Sequence, residues 1–371
     1  MNEDRASRYH RLKRRALVLS LAWSAILLVF LLVTGASVRL RSAAQQAAAA
    51  LGSSGPAAVV LLYVAGLILV HEAGSFVLSF YSGFLVERRY GLSNERLTGW
   101  LRDQAKALGL GLLLGGAAAS LVYVFIRRSP GGWWLPAGAV FALLIIGLAN
   151  VAPVLLLPLF YRVKPLDREA LRQRLMALAE RAGARVLGAY EWGLGEKTKK
   201  ANAALAGLGT TRRILVSDTM LADYSDEEIE IVLAHELAHH VHGDIWKGIA
   251  FESALVVAGF FLAARALDAS AAWLGLEGTA DPAGLPLLLL AAGAVSVVMV
   301  PAAYALSRSS ERSADRFALE LTRNPAAFVS AMRRLAAQNL AEDRPSRAVQ
   351  WLFYSHPPVA ERIASAQAFK R

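Results

Sequence analysis

Apolar and polar positions alternate along this chain on two scales. On the longer scale, six stretches are apolar enough and long enough to cross a bilayer. They cover residues 16–38, 57–86, 107–126, about 133–160, 245–267 and 285–306. Pro153 and Pro158 predict a kink in the fourth. The segments between them differ in charge. Residues 1–15 are basic and 87–106 carry five Lys or Arg, whereas 269–284 hold Glu277 and Asp281 and no cation. The positive-inside bias therefore puts the N-terminus in the cytoplasm, with residues 43–56 as a loop on the far side. The first run is read as an anchor, since it is long for a signal peptide and no A-x-A site follows. His71-Glu72 falls within the second run, where an ionisable pair must face a protein interior or a cavity. Ser75 stands four residues after His71, so no second metal motif is formed there.

On the shorter scale, residues 161–244 read as a small soluble domain. The pattern predicts an amphipathic helix over 167–182 ended by Gly183, and strands over 185–191, 202–206 and 213–217. A loop spans 193–200 and a turn 207–211. Ser225 followed by Glu228 is a capping box, and Ile229, Val232, Leu233 and Leu237 then recur at helical spacing. The fold class expected is mainly α: a polytopic helical membrane protein of about six spans enclosing a cavity, with a small α+β domain. The boundaries are 1–160, 161–244, 245–306 and 307–371.

Composition supports the membrane reading. Hydrophobic residues make up 56% and charged residues 19%, at a mean hydropathy of +0.41. The net charge of +11 does not point to nucleic acid, because the cations cluster between apolar runs and form no stripe with aromatics. With no cysteine, disulfides and thiolate sites are excluded, so a metal must use His and carboxylates.

Such a set is present. His235-Glu236-x-x-His239 places two imidazoles four residues apart on one helix face, Cβ atoms roughly 5–6 Å apart. Both can then reach one zinc ion at about 2.0–2.1 Å. Glu236 lies beside the first ligand, where it can take a proton from water without ligating. Glu311 is the candidate third ligand, and Asp315, one turn on, can fix the tautomer of a ligand imidazole. By themselves these two acids also fit a solvated helix face. His240, His242 and Asp244 rank lower as ligands: His240 points about 100° away from His239, and the other two lie near the helix end.

These motifs together resemble the type I CAAX prenyl proteases, integral-membrane zinc endopeptidases that trim prenylated protein C-termini. The similarity runs through Phe84-Leu85-Val86-Glu87-Arg88-Arg89-Tyr90-Gly91, Pro158-Leu159-Phe160 with Pro165-Leu166, and residues 199–203. It continues through His235-Glu236-x-x-His239, Glu311-x-x-x-Asp315 and His356-Pro357-Pro358 followed by Glu361-Arg362. The resemblance implies one zinc held by His235, His239 and Glu311, and Glu236 as general base. It further implies His356 and Arg362 as oxyanion donors, and a substrate strand at Asn202 and Ala203. It also implies a peptide or protein substrate, prenylated or membrane-bound, cut on the cytoplasmic face. Two features depart from the pattern: six spans where seven are usual, and Ala204-Leu205 where an aromatic commonly follows Asn-Ala.

Three other classes fit parts of the sequence. A heat-shock-type quality-control protease would need no prenyl group. A site-2-type protease would bury the motif in a span, but here a charged capping segment precedes it. A transporter or receptor with a structural metal would have no use for Glu236.

Overall fold

The computed structural model of the chain describes residues 4–53, 55–207 and 211–369. Helix α1 (Arg5–Val33) starts at Asp4, whose carboxylate accepts from the Ser7 N–H. It stops because Gly35 adopts a left-handed φ of 67°, which side chains avoid. The chain restarts at once as α2 (Ala36–Ala50). This corrects the first span, expected to reach 38, and the loop expected over 43–56. The alanine run there has high helix propensity, and two of its polar side chains turn inward to partners. Ser37 donates to the Ala283 carbonyl at 2.6 Å, and Arg41 donates to Asp281 at 2.5 Å.

Helix α3 (Pro56–Ser79) continues through a π-helical turn, Phe80–Leu85, into a last α-turn, Val86–Arg89. It crosses α1 at Gly74, where any Cβ would run into the Trp23 ring. Nearby, His71 exchanges a hydrogen bond with Ser24 at 2.9 Å. Helix α4 (Leu97–Arg128) is followed by α5 (Trp134–Val151). The latter passes through a π turn, Ala152–Leu156, to Leu157–Phe160, the region where the prolines predict a kink. His71 and Glu72 line a cavity of about 650 Å³ whose other walls are almost wholly apolar.

The soluble part follows. Its elements are β1 (Arg162–Pro165), α6 (Glu169–Arg181), β2 (Ala189–Gly193), β3 (Ala203–Ala206) and β4 (Arg213–Ser217). Among the described residues they form a four-stranded sheet in the order β1-β2-β4-β3, with β2 and β4 parallel and the other pairs antiparallel. β3 therefore lies at an edge. The strand expected over 185–191 begins only at Ala189, which pairs with Ile214. β1 escapes sequence reading because it is short, charged and ends in Pro165, as edge strands can.

Helix α7 (Asp218–Asp223) leads into α8 (Asp226–Val241), whose capping box is complete. Ile229, Leu233 and Leu237 of α8 pack on Leu171 and Leu175 of α6 and on Ile214 and Val216 of β4. Each such side chain, fully buried, stabilises by about 1.5–3 kcal/mol. Two long helices then return to the membrane, α9 (Asp244–Ser270) and α10 (Leu285–Thr322). The latter runs unbroken from the last apolar stretch to Glu311 and Asp315. Helices α11 (Pro325–Gln338), α12 (Arg347–Phe353) and α13 (Val359–Gln367) close the fold. Among the described residues five helices are long and apolar enough to span a bilayer; α5 is apolar but shorter.

Candidate metal centre and substrate groove

α8 and α10 cross so that three side chains converge. His235 Nε2 lies 3.2 Å from Glu311 Oε2, and His239 Nε2 lies 3.4 Å from Glu311 Oε1. The donor atoms of these three residues all fall within 4.8 Å of one another. Two ligands held about 2.0–2.1 Å from a tetrahedral centre must themselves stand roughly 3.3 Å apart, so the spacing suits a small divalent cation. Glu311 is buried, and its Oε2 has no hydrogen-bond partner. A carboxylate oxygen is not left that way without reason. A cation between the two imidazoles is the partner this geometry fits.

Each imidazole is aimed by its other nitrogen. His235 Nδ1 is 2.9 Å from Asp315 Oδ1, and His239 Nδ1 is 3.0 Å from Asp244 Oδ2. Both Nδ1–H groups thus donate to carboxylates, which turns both Nε2 atoms toward Glu311. Asp244 lies outside the three-residue cluster and meets it only through His239. Gly243, at a φ of 66°, turns the chain sharply after α8 and brings Asp244 back beneath His239. His240 and His242 stay outside the cluster, and the His242 ring packs edge-on against Phe317 at 5.6 Å.

Burial by itself disfavours the charged form of His239. The neighbouring carboxylates of Glu311 and Asp244 outweigh it and raise its pKa to about 9. Asp315 and Glu311 raise His235 against its burial in the same way. Burial pushes the Glu236 carboxyl upward, although the imidazolium charge of its neighbours opposes the shift. Among the described residues Glu236 makes no ion pair or hydrogen bond through its carboxylate, and it faces a groove.

That groove, about 350 Å³, is lined by His235, Glu236, Asn202, Ala203, His356 and Arg362 together with an apolar wall that includes Val232 and Met332. All the residues singled out in the sequence for substrate contact and charge stabilisation thus meet in one place. His356 Nε2 stands 3.3 Å from Glu311 Oε1, with its side chain largely exposed. Arg362 is differently engaged. Its Nε and Nη2 donate to the two oxygens of Asp315 at 2.8 and 2.6 Å, and Nη2 is 3.3 Å from His235 Nδ1. One partner gave no sequence signal: Asn339 clasps Ala201, its amide donating to the Ala201 carbonyl and accepting from the Ala201 N–H, at 3.1 and 3.0 Å. This braces the chain just before β3.

Long apolar helices joined to a His-His-Glu cluster with an unengaged glutamate beside it define a class, the membrane-integral metallopeptidases. The comparisons agree. The pattern of peptidase family M48 matches residues 165–370, and that described as CAAX prenyl protease N-terminal, five membrane helices, matches residues 2–162. The chain belongs to peptidase family M48. It is 31% identical to an uncharacterized metalloprotease, YhfN, of Bacillus subtilis (strain 168), over 77% of this chain and 68% of that protein. It is 25% identical to a CAAX prenyl protease 1 homolog of Oryza sativa subsp. japonica, over 83% and 73%. Its fold is that of the crystal structure of S. mikatae Ste24p, with a TM-score of 0.88 at 21% identity, covering 98% of this chain and 88% of the other. The protein is a membrane-embedded zinc metalloendopeptidase.

Proposed function

We propose that the chain binds one zinc ion through His235, His239 and Glu311 and cuts extended peptides laid along β3, on the cytoplasmic face of the membrane. The observation that carries this reading is Glu236: a half-buried carboxylate, unpaired among the described residues, next to a three-ligand cluster and open to the groove. When bound, zinc supplies Lewis-acid polarisation of a water and of the scissile carbonyl. Glu236 takes a proton from the attacking water as the C–O bond forms and delivers it to the departing amine as the C–N bond then breaks. Its burial-raised pKa suits both transfers. His356 donates to the oxygen that becomes negative, a role typically worth about 2.7–4 kcal/mol. Arg362 holds Asp315, and through it the tautomer of His235. The free flank of β3, with Asn202 and Ala203 at its start, takes the peptide by strand addition, which sets register through main-chain hydrogen bonds.

The substrate class proposed is a membrane-delivered, prenylated C-terminus. It is supported by the likeness to CAAX prenyl protease 1 homologs and by the apolar cavity among the helices. The test is cleavage of a quenched prenylated peptide and its unprenylated twin by purified protein of measured zinc content, beside Glu236→Gln. About one zinc per chain, retained by an inactive Glu236→Gln, is the expected result, with the prenylated peptide cut faster. A mutant that cuts as well as wild type would overturn the role of Glu236. Equal rates on the two peptides would leave a general membrane protease.

A further inference from the structure

A second polar pocket lies away from the metal centre, on the side of the membrane that carries the soluble domain. About 580 Å³ in volume, it is bounded by the first turns of α4, by Pro158–Phe160 at the end of the α5 segment, and by the loop after β2. α4 is long and apolar enough to span a bilayer, and the apolar α5 segment ends beside its first turns, so the pocket sits where hydrocarbon gives way to water.

Five cationic side chains line it against three carboxylates. Most of these neutralise one another. Asp103 is paired with both Lys197 and Lys106, and Glu196 lies 3.3 Å from Arg162. The two lysines are further held by aromatic rings: Lys106 is 5.7 Å from the centre of Phe160 and Lys197 is 4.5 Å from that of Tyr161. Arg96 and Arg102 remain. Both are exposed, and neither side chain has an ion-pair or hydrogen-bond partner among the described residues. The third carboxylate, Glu95, leaves an excess of positive charge. Exposed Leu97, Leu101 and Leu159 flank these guanidinium groups.

Unpaired guanidinium groups beside exposed leucines at the edge of a membrane suit a ligand with an anionic head and hydrocarbon tails. We propose that this pocket binds the headgroup of an anionic phospholipid from the adjoining leaflet. The phosphate meets Arg96 and Arg102, and the acyl chains run along the leucines of α4 and the α5 end. Arginine forks match phosphate oxygens two at a time, and basic pockets between membrane helices take anionic headgroups by the same chemistry.

The experiment is native mass spectrometry of the full chain, released from detergent, titrated with phosphatidylglycerol or phosphatidylcholine. Wild type is expected to retain one phosphatidylglycerol in preference to phosphatidylcholine. An Arg96→Gln/Arg102→Gln variant should lose that preference by roughly 30-fold, about 5-fold for each basic side chain near an anionic surface. Arg127→Gln/Arg128→Gln, the same charge change at the other end of α4, should keep it. Equal retention of the two lipids by wild type, or an unchanged preference in the Arg96/Arg102 variant, would overturn the proposal. So would displacement of the bound lipid by millimolar glycerol phosphate, since a site that reads the headgroup alone is not a lipid site. Unaltered thermal unfolding of the variant guards against loss through misfolding.

Discussion

Asp244 is the most informative residue to change, because it touches the metal centre only through His239. Its Oδ2 accepts from His239 Nδ1 at 3.0 Å, while Oδ1 accepts from Lys247 at 2.8 Å. Asp244→Ala frees the imidazole to rotate and to take the other tautomer, in which Nε2 carries the proton and cannot ligate. Loss of such an orienting carboxylate typically costs 10–100-fold in metal affinity, about 1.4–2.7 kcal/mol. Two lesser effects accompany it. The exposed pair with Lys247 is worth about 0.2–1 kcal/mol, and a carboxylate in the first turn of α9 contributes about 0.3–1 kcal/mol to that helix. Both act on folding and leave the metal alone, and Lys247→Ala reports the first by itself. The assay is zinc competition against a calibrated chelator in detergent, with thermal unfolding of the zinc-loaded and stripped proteins. Asp244→Ala is expected to weaken zinc by 10–100-fold, and Lys247→Ala by less than about 2-fold. If Asp244→Ala binds zinc within about 2-fold of wild type, His239 is not held by this contact.

Further outcomes follow from neighbouring contacts. Asp315→Ala leaves Arg362 buried without its partner, so it should destabilise by about 3–5 kcal/mol in thermal unfolding, and Asp315→Leu/Arg362→Met should recover part of this; equal destabilisation by both would refute the pairing. For Glu228, burial alone would raise the carboxyl, but donation from Ser330, the Ser225 N–H and Arg334 outweighs it, so the folded pKa is lowered from 4.5. Its contribution is therefore present above pH 4.5 and lost as pH falls through the depressed value, and Glu228→Gln should flatten the acid side of the stability profile. In protein stripped of metal, His239 titrates near 9 and is charged at pH 7, so zinc must displace a proton and its apparent affinity should rise with pH up to about 9. Calorimetry in two buffers of different ionisation heat measures that proton; identical heats would refute it. Since the chain has no cysteine, single cysteines at Asn94 and Thr279 should label from opposite sides of the membrane, with Asn94 on the cytoplasmic side.

What could be read from the chain alone was whatever repeats with a period or sits at a fixed spacing. α8 is legible because its capping box, its apolar stripe and the i, i+4 histidines agree on one helix, and β4 because β-branched Ile214 and Val216 alternate in a short apolar run. Glu311 was legible for a different reason: the last apolar run continues into it without a break, so span and ligand share one rigid helix. α2 reads as a loop in the sequence because an alanine-rich stretch has no amphipathic contrast to betray it, and its packing depends on Arg41 meeting Asp281, 240 residues away. Asp244 shows the limit most sharply. From the sequence it was one more acid near two histidines, and ligand and orienter look alike there. What separates them is the turn at Gly243, which sends the carboxylate to Nδ1 of His239 while α10 brings Glu311 to Nε2. The role of a metal-site carboxylate is thus set by which imidazole nitrogen it reaches, and that is decided by how two helices cross. Exchanging Asp244 for Glu lengthens the reach without changing the charge. It should therefore weaken zinc binding as Asp244→Ala does if position governs, and leave it intact if charge alone does.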